Sequence, residues 1–524
     1  MVKIRRCFLS VTFFLLVQSY EIESSTFDAL HVPLDDPMLS QIYDFVDRML
    51  LKYEIFPFHA NIRPYTYGQL KQLLNKFQKC SLPVSDRQKI ESYLLYFSQP
   101  ESFVAYETGS SKFRLNLELG SHITSRKKSE SQRNEEYAWQ IRPILTGQLG
   151  KDLSFSTDLR FFLITGRNLP NTIRTEVEVD QRNTKSFDTG GLAPSYLQFQ
   201  LPWFDLLIGK QNLCWGPGRN GNLILSANSM PMEMIYLRGL YDKVAFQAFH
   251  GVAQDPKGNK IVSGHRIDLC PFPWINLGIS EVIVVDVEDF NLRFLNPVTI
   301  YTISELSGEG YFSNGDNYSK GNLLISGEIS VKPTRKIKTY IEIMIDDFQP
   351  RYGWKSHLHW GSKWGILSGI RITDLFSLKN TCLLFEYAFL NQYAYTHAKP
   401  LNIYSHLNRP IGHKIGPDSQ SIFTHLKYEI TSNLSLSSFI EFTARGEQKI
   451  TEPRSSFDDQ DGFWIYLSGI EEKSSSVGLS TEFSLMSKQI FKAEYIWEQT
   501  KNAYHREGKT SFNQEANLIY LYRF

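Results

Sequence analysis

Phe113-Arg114-Leu115-Asn116-Leu117-Glu118-Leu119-Gly120 alternates strictly between apolar and polar residues. Successive side chains on a strand point to opposite faces, so this stretch makes one apolar face and one charged face. The same period recurs at Leu153, Phe155, Thr157, Leu159 and Phe161 against Ser154, Ser156, Asp158 and Arg160. It returns at Leu323, Ile325 and Ile329 against Asn322, Ser326 and Glu328, and at Val477, Leu479 and Phe483 against Ser480 and Glu482. Strands between lipid and a polar lumen read this way, and so do strands of a soluble sandwich.

Connection lengths separate the two. Short turns are expected at Gly150-Lys151, Pro202, Pro271-Phe272, Lys332-Pro333-Thr334-Arg335, Thr431-Ser432-Asn433 and Ser487-Lys488. Between them lie long polar segments: 121–136, 165–191, 212–231, 288–318, 347–360, 392–419, 446–473 and 501–513. One connection, near Asp255 to Asn259, reads as medium in length. Alternating short and long connections are the habit of outer-membrane barrels, with turns on the periplasmic side and loops outside. The expectation is a mainly β chain forming an antiparallel transmembrane β-barrel of roughly 18 strands. Ala516, Leu518, Tyr520, Tyr522 and Phe524 give the last strand an apolar, aromatic face. Such a terminal strand resembles the signal read by the barrel insertion machinery.

Composition agrees. The chain has 524 residues, 14% aromatic and 21% charged, with 27 Tyr and 36 Phe. A net charge of +1 lacks the basic excess of a nucleic-acid binder. Lys3, Arg5 and Arg6, the apolar run from Cys7 to Val17, and Val17-Gln18-Ser19 read as a secretory signal over residues 1–19. No later stretch has the ~20 apolar residues of a membrane helix, so a membrane location requires a barrel.

Residues 20–105 carry a helical period and are expected to form a small periplasmic helical bundle, with residues 106–524 as the barrel. Asp36-Pro37 precedes Leu39, Ile42, Tyr43, Val46, Met49 and Leu50. Thr66 and Gln69 make a capping-box pattern before Leu70, Leu73, Leu74 and Phe77. Ser85 and Gln88 repeat it before Ile90, Tyr93, Leu94 and Phe97. Each helix has one apolar stripe and must bury it.

The segment Gly209–Asn228, GKQNLCWGPGRNGNLILSAN, places four glycines and Pro217 around Trp215 and Arg219. Glycine and proline permit or fix turn geometry, so this is a shaped loop. It resembles the signature loop of the Wzi-type capsule assembly family, outer-membrane barrels that help hold capsular polysaccharide at the cell surface. Cys214 departs from that pattern, standing where an aromatic is expected. The resemblance implies an 18-stranded barrel with a periplasmic helical bundle. It also implies a lectin-like role in assembling or anchoring capsular or other surface polysaccharide. Sugars offer hydroxyls to amides and carboxylates, and apolar faces to aromatics. Trp215, Gly216, Pro217, Gly218, Arg219, Asn220 and Asn228 are therefore the candidate carbohydrate-binding or plug residues. Secondary candidates are Asn314, Asp316 and Asn317 in a compact turn, and Asp346 and Asp347 at a strand end.

Other chemistry is sparse. There is no G-x-S-x-G and no H-E-x-x-H, and Cys80, Cys214, Cys270 and Cys382 are scattered without metal-ligand spacing. No catalytic residue, metal or cofactor is expected. The inward carboxylates Glu118, Asp158, Glu328, Glu342, Glu386, Glu441, Glu482 and Glu494 would line either a glycan path or a structural polar network. The expected partners are surface polysaccharide, outer-membrane lipid, the insertion machinery and a periplasmic protein for the helical region. The alternative function is a porin or transport channel.

Overall fold

The computed structural model describes residues 28–98, 102–129, 134–165, 192–290, 292–306, 321–347, 361–452, 466–485 and 488–524. The expected signal segment and Asn314, Asp316 and Asn317 lie outside them. The strands are β1 (Ser111–Lys128), β2 (Asn134–Leu149), β3 (Leu153–Leu159 continued by Phe161–Thr165), β4 (Leu192–Gln200), β5 (Asp205–Gln211) and β6 (Met232–Tyr241). Next come β7 (Val244–Asp255), β8 (Gly258–Phe272), β9 (Ile275–Asp286), β10 (Gly321–Thr334), β11 (Ile337–Asp347) and β12 (Lys363–Thr373). The last six are β13 (Thr381–Leu390), β14 (Ser419–Glu429), β15 (Leu434–Arg445), β16 (Glu472–Leu485), β17 (Gln489–Lys501) and β18 (Thr510–Arg523). Each pairs antiparallel with its neighbours, and β18 returns to β1 with Arg523 opposite Glu118. The result is a closed 18-stranded barrel, as expected. Closure leaves no sheet edge, which is what a spanning sheet needs in lipid.

The alternation sorts the faces as read. Ile208, Ile235, Ile279, Ile343, Phe442 and Leu479 are exposed on the outside, while Glu118, Asp158, Glu342 and Glu386 are buried inside. Trp203, Phe272 and Trp274 stand outward at the turn end, the last two stacked at 5.6 Å. They make the aromatic girdle that marks a lipid interface.

Two connections differ from expectation. Asp255 pairs with Gly258, so that connection is a tight turn at the loop end. β1 and β2 run on to Lys128 and Asn134, well into the expected 121–136 loop. His122, Thr124 and Arg126 face inward there, and Ser121 and Ser125 lie on the other face. Polar residues on both faces hide the period of two.

The helices are α1 (Gln41–Lys52), α2 (Tyr67–Gln78) and α3 (Val84–Ser98). Thr66 and Gln69 form the reciprocal capping box at α2. α3 starts at Val84, one residue before the expected cap; Pro83 precedes it, and Ser85 Oγ accepts from Asn380 Nδ2 at 3.2 Å. The apolar stripes pack together through Ile42, Phe45, Val46, Met49, Leu70, Leu74, Phe77, Ile90 and Phe97.

Charge joins this bundle to the turn end of the lumen. Arg48 reaches Asp86 and Glu429, each at 2.7 Å, and Lys89 reaches Glu429 at 2.8 Å. At the closing seam Asp36 accepts from Arg142 at 3.0 Å and from Arg523 at 2.8 Å. The same arginines hold Asp158 at 2.6 Å and Glu118 at 2.7 Å. Arg142 and Arg523 are 1% and 4% exposed, so neither can turn to water.

Removing one partner of such a buried group leaves charge uncompensated. Asp36→Ala is expected to cost on the order of 3 kcal/mol. A lower urea midpoint for the barrel refolded in liposomes would show it; an unchanged midpoint would refute the seam's role.

Candidate functional site

The Trp215 loop folds into the barrel. Ile62 and Arg63 pair with Trp215 and Cys214 as a two-stranded ribbon, so the N-terminal segment and the loop share one piece of sheet. Trp215 is fully buried against Phe249, with ring centroids 5.4 Å apart, and its indole N–H donates to Gln247. Leu213, Leu223, Ile224 and Leu225 pack with it against Met234, Tyr236, Val282, Leu324, Met344 and Leu367 of the barrel wall.

Sequence shapes the turn locally. Gly216 has φ +126°, and a Cβ on Gly218 would stand 2.0 Å from the Gly221 carbonyl oxygen. Asn222 Oδ1 accepts from Gly218 N at 2.7 Å, closing the turn from within. Arg63 donates to the Gly216 and Gly218 carbonyls at 2.9 and 3.0 Å.

Lumen carboxylates take the loop's amides. Glu386 accepts from Arg219 N and Asn220 N at 2.7 and 2.8 Å. Glu342 accepts from Leu223 N at 3.0 Å and from Ile224 N at 3.3 Å. Glu441 accepts from Asn220 Nδ2 at 3.0 Å. The Arg219 guanidinium donates to Asp47 of α1, and Arg371 of β12 donates to the same oxygen. These inward glutamates serve a structural polar network.

A second loop, 391–418, folds in behind. Tyr395 and Tyr404 donate to the Leu223 and Ile224 carbonyls. Asn228 Nδ2 donates to the Pro410 carbonyl at 2.8 Å, and Asp346 accepts from Tyr395 N at 2.5 Å. Asp346 is thus placed behind the plug, while Asp347 closes β11. Burial pushes His413 in this loop down to about 3, the nearby Lys414 charge adding to it. It is a neutral packing partner for Gly221 at physiological pH.

The primary candidates therefore come together as one assembly, with Trp215, Gly216, Pro217 and Gly218 buried and Arg219, Asn220 and Asn228 half-buried. Asp47, Asn222, Tyr395 and Tyr404 were not singled out by sequence. Only the amide-rich loop and the lumen carboxylates signalled such contacts, because the partners are hundreds of residues apart.

Among the described residues one group brings metal-ligand atoms together: His59, Asp268 and Cys270, within 4.8 Å of one another. Their hydrogen bonds are already made. His59 contacts Asp268 Oδ1 at 2.6 Å and the Asp242 carbonyl at 3.0 Å. Arg266 holds the other Asp268 oxygen at 2.8 Å, and Asn276 donates to Asp268 and Cys270. Burial alone would lower His59, but the hydrogen bonds to Asp268 and Cys270 outweigh it and raise the imidazole to about 10. A protonated imidazole beside a guanidinium is no metal ligand. The cluster pins the N-terminal segment to β8.

Residues 118–515 match the family model described as capsule assembly protein Wzi. No curated protein sequence matches the chain. In structure it is similar to Wzi of Escherichia coli, described as an outer membrane protein involved in group 1 capsule assembly and as a carbohydrate-binding β-barrel. The TM-score is 0.58 at 12% identity, covering 94% of this chain and 99% of that one. Pseudomonas aeruginosa OprD aligns with TM-score 0.45 at 11% identity over 81% and 97% of the chains. P. aeruginosa OpdK, solved with vanillate, gives 0.45 at 8% over 78% and 98%.

Two outcomes test the assembly. Trp215→Ala is expected to lower stability by about 3–5 kcal/mol through the cavity left behind, read from the urea midpoint in liposomes. Second, a His59 raised in the folded state stabilises fully below its unfolded value of ~6.5. That contribution is lost as pH rises toward about 10. The gap in unfolding midpoint between wild type and His59→Gln is therefore largest near pH 6 and closes by pH 10. A gap that grows with pH would overturn the charged pair.

Proposed function

This chain belongs to the Wzi family of capsule assembly proteins, and from that premise we propose that it anchors capsular or other surface polysaccharide at the cell surface as a non-catalytic, lectin-like barrel. It is a bacterial outer-membrane β-barrel. The helices and the short turns lie at one end, which on the usual barrel orientation faces the periplasm. The long loops then face outward.

One observation carries the anchoring reading over a transport channel. Along β6 to β11 the lumen is packed by the Trp215 loop, the 391–418 loop and the helices, tied by Glu342, Glu386 and the Asp47–Arg219–Arg371 group, and a cavity of about 330 Å³ remains between the loop, α1 and β12 to β14. A plug fixed by buried hydrogen bonds does not open at low cost. The carbohydrate-binding character of the E. coli relative points the same way. Outer-membrane lipid meets the apolar belt. The terminal strand, with Leu518, Tyr520 and Phe524 facing out, suits recognition by the insertion machinery. A periplasmic protein partner for the helical region belongs to the same reading.

Purified protein in a planar bilayer is expected to give no steady current, and deletion of its gene to release polysaccharide from the cell surface into the medium. Steady conductance, with surface polysaccharide retained in the deletion strain, would replace the anchor by a channel.

A further inference from the structure

The lumen is not lined alike all round. Where the plug packs, the wall presents Met234, Tyr236, Phe249, Val282, Leu324, Met344, Leu367 and Ala388. On β15 to β18 and β1 the inward positions near the loops are polar, while nearer the turns Phe439, Ile490, Ile519 and Leu521 also face inward. The register places them in two transverse rows. One runs Glu441, Ser476, Glu498, Asn513 and Lys128 across five adjacent strands. The other, one step nearer the loops, runs Thr443, Ser474, Thr500 and Ser511. These side chains line a cavity of about 360 Å³ at the loop end, with Lys414, Arg445, Glu472 and Tyr504 at its margin. That volume falls within the ~300–1,000 Å³ typical of small-ligand sites.

The chemistry of this panel is specific. Hydroxyls recur on neighbouring strands, whose backbones lie about 5 Å apart, so a sugar ring lying across them meets more than one. Ser474 and Thr500 already share a hydrogen bond at 2.9 Å, so their remaining donor and acceptor capacity is oriented. The Asn513 amide oxygen is shielded from solvent and has no partner among the described residues. Turning this amide toward the cavity to meet a ligand hydroxyl breaks no bond of that oxygen among the described residues. At the rim Tyr504 is 70% exposed and held by its backbone N–H to Glu472 at 2.6 Å. An aromatic there offers the apolar surface that pyranose C–H groups pack against.

Charge is balanced. Glu441, Glu472 and Glu498 face Lys128, Lys414 and Arg445, and Lys414 pairs with Glu441 at 3.1 Å. A polyanion would meet as many acids as bases. The fit is to a neutral, polyhydroxylated segment.

We infer that the hydroxyl panel of β15 to β18, and not the Trp215 loop, is the saccharide subsite of this barrel, taking a short neutral stretch of the polysaccharide chain. The inference rests on the anchoring reading above and locates its contact. Among the described residues the loop reaches the subsite from below, through Asn220 on Glu441.

The test uses the full chain in nanodiscs. The probe is surface polysaccharide from the source cells, cleaved to short fragments and labelled at the reducing end. Ser476→Phe and Thr500→Phe fill the cavity and are expected to weaken binding at least about tenfold. Asn513→Ala leaves the packing intact and is expected to cost a factor of about 5–10, the share of one buried hydrogen bond. Unshifted heat-modifiable migration on gels confirms that each barrel is folded. Should Ser476→Phe misfold, Asn513→Ala decides alone. Wild-type binding that none of the variants weakens overturns this subsite and leaves the anchoring reading standing. No binding by the wild-type protein overturns the anchoring reading and the subsite with it. Binding that collapses with added salt identifies a polyanionic ligand and overturns the neutral segment.

Discussion

A backbone amide carried into a barrel leaves water behind and must find an acceptor. The Trp215 loop carries in a run of them, and the barrel wall supplies carboxylates to receive them. Glu386 spans two successive amides, Arg219 N and Asn220 N. Glu342 receives Leu223 N and Ile224 N and also the Ser326 hydroxyl at 3.1 Å. Several donors per carboxylate are what make such a buried acid tolerable. The plug's apolar foot, Leu223 to Leu225, can then pack against the wall because its polar groups are already satisfied.

One acid ties three parts together. Asp47 of α1 accepts from Arg219 of the plug and Arg371 of β12. Burial alone would raise its carboxyl, but the two guanidinium charges outweigh that and hold it well below the usual carboxylate range. Its stabilising share is therefore present above the unfolded value of ~3.9 and is lost only in strong acid. Loosening α1 would also free Arg219 of the Trp215 loop beside β12. Bundle, plug and wall are one cooperative unit on this account, with the Ile62–Arg63 ribbon as the second tie.

The barrel was legible because its signal is local. The alternation from Phe113 to Gly120 and the turn residues at Gly150, Pro202 and Asn433 lie within a few residues of what they determine. The capping box of α2 was equally local. The extended ends of β1 and β2 were not, since their outward positions carry Ser121 and Ser125 above the apolar belt. The plug was half legible. Its glycines announced a shaped turn and Glu342 and Glu386 announced an inward charge, but nothing in sequence joins residue 219 to residue 386. The contact depends on barrel closure, which sets which wall faces which loop. The polar rows of β15 to β18 stayed invisible for the same reason. Ser476, Glu498 and Asn513 align only through register.

Register also bears on why a plugged barrel suits holding better than passage. A channel needs a lumen whose walls are polar all round and whose plug can leave. Here the wall is divided. The strands from β6 to β13 set Met234, Phe249, Val282, Leu324 and Met344 around the carboxylates that hold the plug, and they would expose that apolar surface to water if it left. The polar rows face the remaining space only at the loop end, where the cavity at Thr443, Ser474 and Thr500 opens. Below it, Glu441, Lys414 and Asn220 form a floor joined to the plug. A ligand entering from the loops meets hydroxyls on one side and a fixed floor beneath. It can be retained there, and the same contacts that form the floor bar it from going further.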